Sequence, residues 1–223
     1  MGTAIGDVLP LAIGVAISPI PIIATILMLL TPRAGSTATA FLAGWILGIV
    51  VGYAIFVIIG SSMDLSSDSD GNAVTATIRL VLGLLLLGLA VKQWRSRPAP
   101  GETPTMPAWL SAMDKVTPGK AIALGFGLAA VNPKNLLMIV GAAVAVTQLG
   151  VSGTSIVVTG IVFTVLAAST VAVPVIGYLT MRERATSWLG GLKTWLTANN
   201  AAVMSVLLLV IGVSLIGKGI GGY

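Results

Sequence analysis

Between Arg33 and Asp64, and again between Lys193 and Lys218, the chain runs without a single charged side chain. Uncharged apolar runs of about twenty residues match the roughly 30 Å hydrocarbon core of a bilayer when wound as a helix. In that solvent every backbone N–H and C=O must be satisfied within the chain, which leaves only helices or a closed barrel. A barrel would show alternating segments of about ten residues. These runs are longer and continuously apolar, so they are read as helices.

Composition agrees. Of 223 residues, 56% are hydrophobic and 9% are charged, against roughly 25% charged in soluble domains. The polar surface is too small for a soluble globule. The fold class is therefore all-α, a polytopic membrane protein. Six helices are expected, over 6–30, 38–60, 76–94, 119–148, 153–179 and 199–218. They form one membrane domain, 1–223, comprising a first three-helix unit (1–94), a connecting loop (95–118) and a second unit (119–223). The N-terminus has Asp7 where a cleavable signal would carry basic residues, so the first apolar run is expected to remain as a helix.

Orientation follows from the basic residues of short loops. With the N-terminus outside, the inner loops collect Arg33, Lys92, Arg95, Arg97, Lys115, Lys120, Arg182, Arg184 and Lys193. The outer segments hold Arg79 and Lys218, and the outer loop around Asp64, Asp68 and Asp70 is acidic. Both termini are then outside a bacterial plasma (inner) membrane. This also accounts for the net charge of +5 without nucleic acid as a partner. Two stretches read as short amphipathic helices on the inner membrane surface. One carries Trp109, Leu110, Met113 and Val116; the other carries Trp188, Leu189, Leu192, Trp195 and Leu196.

An internal repeat underlies this organisation. AISPIPI (16–22) in helix 1 parallels AVNPKNL (130–136) in helix 4, with Pro19 matched to Pro133. Helices 3 and 6 share glycine pairs, Gly83 and Gly88 against Gly212 and Gly217. Helix 2 has small residues at Gly44, Gly48 and Gly52; helix 5 answers with Gly160, Thr164, Ala168 and Ala172. Such ridges let helix backbones approach closely. Three helices per unit is an odd number, so the second unit enters the membrane inverted. Inverted units with interrupted helices at matching places point to a transport site near the bilayer midplane.

The interruptions fall at Pro19, Pro21 and Pro133, each lacking an N–H and clashing with the carbonyl four residues back. Ser18 and Asn132 precede the breaks and can bond the opened backbone. Asn135 joins them on the same local argument. Lys134 lies too far from either end of helix 4 to reach water. An intramembrane cation there costs about 2.5–3.5 kcal/mol or more unless it faces the bundle interior and finds carbonyls, an anion or water. Both a bracing role against helix 1 and a substrate role remain open. No Asp or Glu lies deep in a helix, which disfavours a carboxylate cation site. His and Cys are absent, which removes soft-metal ligands and disulfides. No cofactor, no metal and no catalytic residue are expected.

At these residues the whole chain resembles the lysine-exporter (LysE-type) transporter superfamily. The amino-acid exporters of that superfamily carry a P-G-P motif in helix 1 and N-P-K in helix 4. Here Ile20 stands at the central glycine. SPIPIIA with NPKNLL is more similar to the lipid-addressing GAP or Sap branch of actinobacteria, whose members are implicated in moving glycolipids or peptidoglycolipids to the cell surface. The resemblance implies Pro19, Pro21, Asn132, Pro133 and Lys134 as site residues. It also implies export of an amphipathic or anionic molecule, with membrane lipids, a glycolipid substrate, glycolipid-export machinery and a second copy of the chain as candidate partners. A small amino-acid exporter and a non-transporting accessory protein are the alternatives. A Ser18–Lys134 acyl-transfer pair is a further one, which nothing resembling an oxyanion hole supports.

Overall fold

The computed structural model describes residues 1–62, 69–98, 110, 113, 115–181 and 183–222; within it, residues 69–72 and 183–187 are described by backbone alone. Among the described residues there is no strand, and the chain is organised as eight α-helices. They are α1 (Gly2–Ala16), α2 (Pro19–Leu29), α3 (Ala34–Ser62), α4 (Ser69–Arg95), α5 (Pro118–Ala130), α6 (Pro133–Thr147), α7 (Gly153–Met181) and α8 (Glu183–Ile220). Four helical segments are long and apolar enough to cross a membrane: Ala34–Ser62, Ala73–Arg95, Gly153–Met181 and Trp188–Ile220. Two bent pairs raise the number to six if each is one span: α1 with α2, at 52°, and α5 with α6, at 61°. This is a multi-pass membrane protein.

The bends occur where the prolines stand. Pro19 and Pro133 each occupy the first turn of a new helix, where the missing N–H costs nothing because no intrahelical acceptor awaits it. Ser18 is extended at the start of α2, and Asn132 is extended at the start of α6. Pro10 and Pro174, by contrast, remain inside α1 and α7.

The last helix departs from expectation. It runs unbroken from Glu183 to Ile220, so the stretch around Trp188–Leu196 is the beginning of the final span and not a separate surface helix. No proline interrupts it. Gly190, Gly191, Asn199 and Asn200 only weaken a helix, by about 1 kcal/mol per glycine. Leu189 and Leu196 are buried in the core, while Trp188 and Trp195 are exposed. Leu110, Met113 and Val116 are likewise buried in the core and not laid on a surface. Trp109, most of loop 95–118, the acidic residues Asp64 and Asp68, and Arg182 lie outside the described residues.

Glycines decide which helices touch most closely. A methyl group added at Gly44 of α3 would overlap the Ile122 carbonyl of α5. One added at Gly125 of α5 would overlap the Phe41 carbonyl of α3. At Gly48 it would reach 2.8 Å from both the Phe126 carbonyl oxygen and Ala129 Cβ. The α4–α8 seam has the same character: from Gly83 an added Cβ lies 2.8 Å from the Gly212 oxygen, and from Gly212 it lies 3.1 Å from the Gly83 oxygen. Gly88 and Gly217 meet nothing within 4 Å and take no part in this crossing. α7 packs on α1 and α3, with the Tyr53 and Phe163 rings stacked 5.8 Å apart. Large exposed aliphatics such as Leu84, Val165 and Ile58 face outward from the bundle. On a soluble protein this would mark an interface; here it is the surface offered to lipid.

Gly44→Ala and Gly125→Ala are expected to destabilise the protein by about 1–3 kcal/mol each through overpacking. Gly88→Ala, with open space at its Cβ, should cost nothing and can stabilise by up to about 1 kcal/mol. Thermal unfolding in detergent, followed by fluorescence-detected size exclusion, measures all three.

Candidate functional site

A helix that ends inside a protein leaves its last four carbonyls without intrahelical partners. At depth in a bilayer each would cost several kcal/mol if left bare. The broken end of α1 shows where they go. Ile13 oxygen accepts from the Ile17 N–H at 2.9 Å. Gly14 oxygen accepts from Lys134 Nζ at 2.5 Å. Val15 oxygen accepts from the Ser18 hydroxyl at 2.7 Å. Ala16 oxygen accepts twice, from the Ser18 N–H at 2.8 Å and the Thr170 hydroxyl of α7 at 2.5 Å. Ile17 oxygen accepts from Lys134 Nζ at 3.2 Å. The account closes without water.

Lys134 is the centre of this arrangement. It is 5% exposed, and its three N–H bonds have three acceptors: Gly14 oxygen, Ile17 oxygen and Ser18 Oγ, the last at 2.6 Å. It sits in the first turn of α6, the end of its own helix where a positive charge is unfavourable. Its side chain reaches instead to the negative end of α1, where the dipole favours a cation. The backbone N–H of Lys134 is capped by Asn132 Oδ1 at 3.0 Å, which fixes the start of α6. Asn135, fully buried, links the second break to the first: its Nδ2 donates to the Leu128 oxygen of α5 at 2.9 Å, and its Oδ1 accepts from Ser18 Oγ at 3.2 Å. The two proline breaks are therefore one hydrogen-bonded unit.

The chemistry this permits is bracing and polar recognition. Ser18 Oγ lies within bonding distance of Lys134, but its hydrogen is directed to Val15 and Asn135 oxygens.

Beside this unit lies a cavity of about 200 Å³. Ser18, Pro19, Ile20 and Pro21 wall it from the first break, and Asn132, Pro133 and Lys134 from the second. α4 contributes Leu89, Lys92 and Gln93; α8 contributes Asn200, Met204 and Leu208. Sequence reasoning singled out the residues of the two breaks. It counted Lys92 only as an inner-loop charge and passed over Gln93, Asn200 and Thr170. The signal for Asn200 was present, a polar residue at the head of the apolar run 199–218, and so was that for Lys92, the first charge after a long apolar run. Asn200 Oδ1 is buried and has no hydrogen-bond partner among the described residues. Asn135 is buried behind the cavity wall and braces it.

Compared with known families, the chain matches the one described as Sap, sulfolipid-1-addressing protein, over residues 8–221. The chain belongs to the Sap family. The matched region contains both breaks, the cavity and all of its lining, so the Sap match covers the site as well as the scaffold. No curated protein and no solved structure is significantly similar to the chain.

Lys134→Met should strand the Gly14 and Ile17 carbonyls, at about 1–3 kcal/mol for each buried acceptor left unpaired. Lys134→Arg keeps the charge but exchanges a compact ammonium for a planar fork that does not fit three converging acceptors. Both variants are expected to unfold at lower temperature than the parent in detergent, Lys134→Met by more.

Proposed function

We propose that this Sap-family chain is a non-enzymatic membrane exporter that moves an amphipathic or anionic molecule, foremost a glycolipid or peptidoglycolipid, toward the cell surface. The observation that carries the reading is the cavity at the junction of two broken helices, with Ser18, Lys92, Gln93, Asn132 and Asn200 in its wall. Discontinuous helices of this kind expose backbone and helix ends to a substrate at membrane depth. The family's name, sulfolipid-1-addressing protein, supports lipid as the cargo.

In this reading the bent pairs count as one span each. The chain then has six spans in two inverted three-helix halves of one membrane domain, the architecture of the LysE-type superfamily. The packing supports the inversion: α3 lies on α5 as α7 lies on α1, α2 on α8 as α6 on α4, and α4–α8 and α3–α7 map onto themselves. Both termini are outside, and the end of α4 that carries Lys92, Arg95 and Arg97 is inside. The cavity, with exposed Lys92 on its wall, then opens toward the cytoplasm. At the opposite end Asp7 of α1 and Lys218 of α8 form an ion pair at 2.5 Å that joins the halves. Export proceeds by rocking the halves about the breaks. Lys134 holds α1 to α6 through the motion, while Lys92, Gln93 and Asn200 meet the polar end of the cargo.

Purified protein in liposomes, given a fluorescent glycolipid in the leaflet that the cavity faces, is expected to move it to the opposite leaflet. Lys92→Gln and Asn200→Ala should slow the movement by about tenfold each, with little change in thermal stability. No movement by well-folded protein would reject the exporter and favour an accessory role. Efflux of an amino acid after dipeptide feeding, with no lipid movement, would favour the amino-acid exporter.

A further inference from the structure

We infer that the apolar groove between α1 and α8 holds the hydrocarbon chain of the molecule whose polar end enters the cavity. The inference rests on the reading that the cargo is a lipid. Its starting point is size. At about 200 Å³ the cavity lies below the roughly 300–1,000 Å³ of pockets that enclose a whole ligand. Its wall sets Ser18, Lys92, Gln93, Asn132 and Asn200 among apolar residues, and these are groups that a headgroup can bond and an acyl chain cannot. The chain must therefore leave the cavity, and it needs an exit that opens on lipid.

The α1–α8 groove supplies one. Its volume is about 700 Å³, and its lining includes Pro10, Ile13 and Ile17 on α1 and Val206, Leu207 and Val210 on α8. The groove and the cavity share a corner. Ile17 lines the groove and the next residue, Ser18, lines the cavity; on α8 the same step separates Leu207 from Leu208. The break at the end of α1 is what brings them together, because the helix wall stops there. Along α8 the groove extends from Ala202 to Ile211. That is about 14 Å of helix, close to half the roughly 30 Å hydrocarbon thickness and so the depth of one leaflet. Past its far end the Asp7–Lys218 ion pair ties α1 to α8, so the groove is closed there and open at the break.

Two other apolar grooves suit the tail less well. The one between α3 and α7, about 400 Å³, is walled by helices that contribute nothing to the cavity. The one between α4 and α8 borders the cavity too, but at about 360 Å³ it is half the size, and its lining includes Arg95 and Ser205. The cargo thus sits with its headgroup inside the protein and its tail outside, lodged against α1 and α8 without crossing the bundle.

Photocrosslinking in phosphatidylcholine liposomes tests this. The probe is a glucosyl diacylglycerol with a diazirine in one acyl chain; the control is a phosphatidylcholine with the same chain. Adducts mapped by peptide mass spectrometry should concentrate at Ile13 and Val210, which line this groove and not the α4–α8 one. The enrichment over Leu84 and Val173 on other lipid-facing surfaces should be about tenfold for the glucosyl probe, with none for the control. Val210 and Val173 are 61% and 59% exposed, so a tryptophan at either leaves the core intact. Val210→Trp should abolish the enrichment and Val173→Trp should preserve it. Even labelling of all faces by the glucosyl probe overturns the inference, as does a crosslink between two copies of the chain through α1 and α8. Lipid movement without enrichment removes the groove and leaves the exporter standing. Enrichment without lipid movement supports the groove and removes the exporter.

Discussion

The bond from the Lys134 ammonium to the broken end of α1 is the interaction on which the other features of the site depend. Breaking a helix inside a membrane frees carbonyls that lipid cannot satisfy. One cation, supplied from a different part of the chain, answers two of them and the hydroxyl that answers a third. Without it the interruption at Ser18 would be unaffordable, and without the interruption there would be no cavity wall at Pro19–Pro21. The lysine in turn is tolerable only because α1 ends where it does. Charge and break are each the condition of the other.

The scaffold answers a different constraint. Lipid tails are as apolar as leucine, so helices in a bilayer gain little from simply hiding apolar surface and associate through close packing. The α3–α5 and α4–α8 crossings use glycine to bring backbones together. They leave the large aliphatics free to face outward. The core residues Trp45, Phe41 and Phe163 fill the wider gaps between helices.

Much of this was legible in the sequence. The lengths of the uncharged runs are set by bilayer thickness, and the prolines remove donors wherever they stand, so helices and breaks could be placed from local chemistry alone. The glycine pairing of Gly83 with Gly212 was visible as an echo between distant segments. What could not be read was mutual arrangement. Nothing local to Asn200 says that it shares a cavity with Lys92, 108 residues earlier in the sequence. Nothing local to Thr170 says that its hydroxyl reaches Ala16. The stretch at Trp188–Leu196 misled because an amphipathic face looks the same whether it meets headgroups or protein. Burial of Leu189 and Leu196 decided for protein.

The α4–α8 seam also decides what can move at the cavity. It is tight at more than one place: a Cβ added at Gly83 or Gly212 meets the facing backbone together with Ile216 or Leu87, and one added at Gly219 meets Leu80 and the Ala76 oxygen. Close-packed helices transmit displacement instead of absorbing it. Lys92 on α4 and Asn200 on α8 therefore form one stiff wall, and the cavity changes shape where the chain is broken, at Ser18 and Asn132, on its other side.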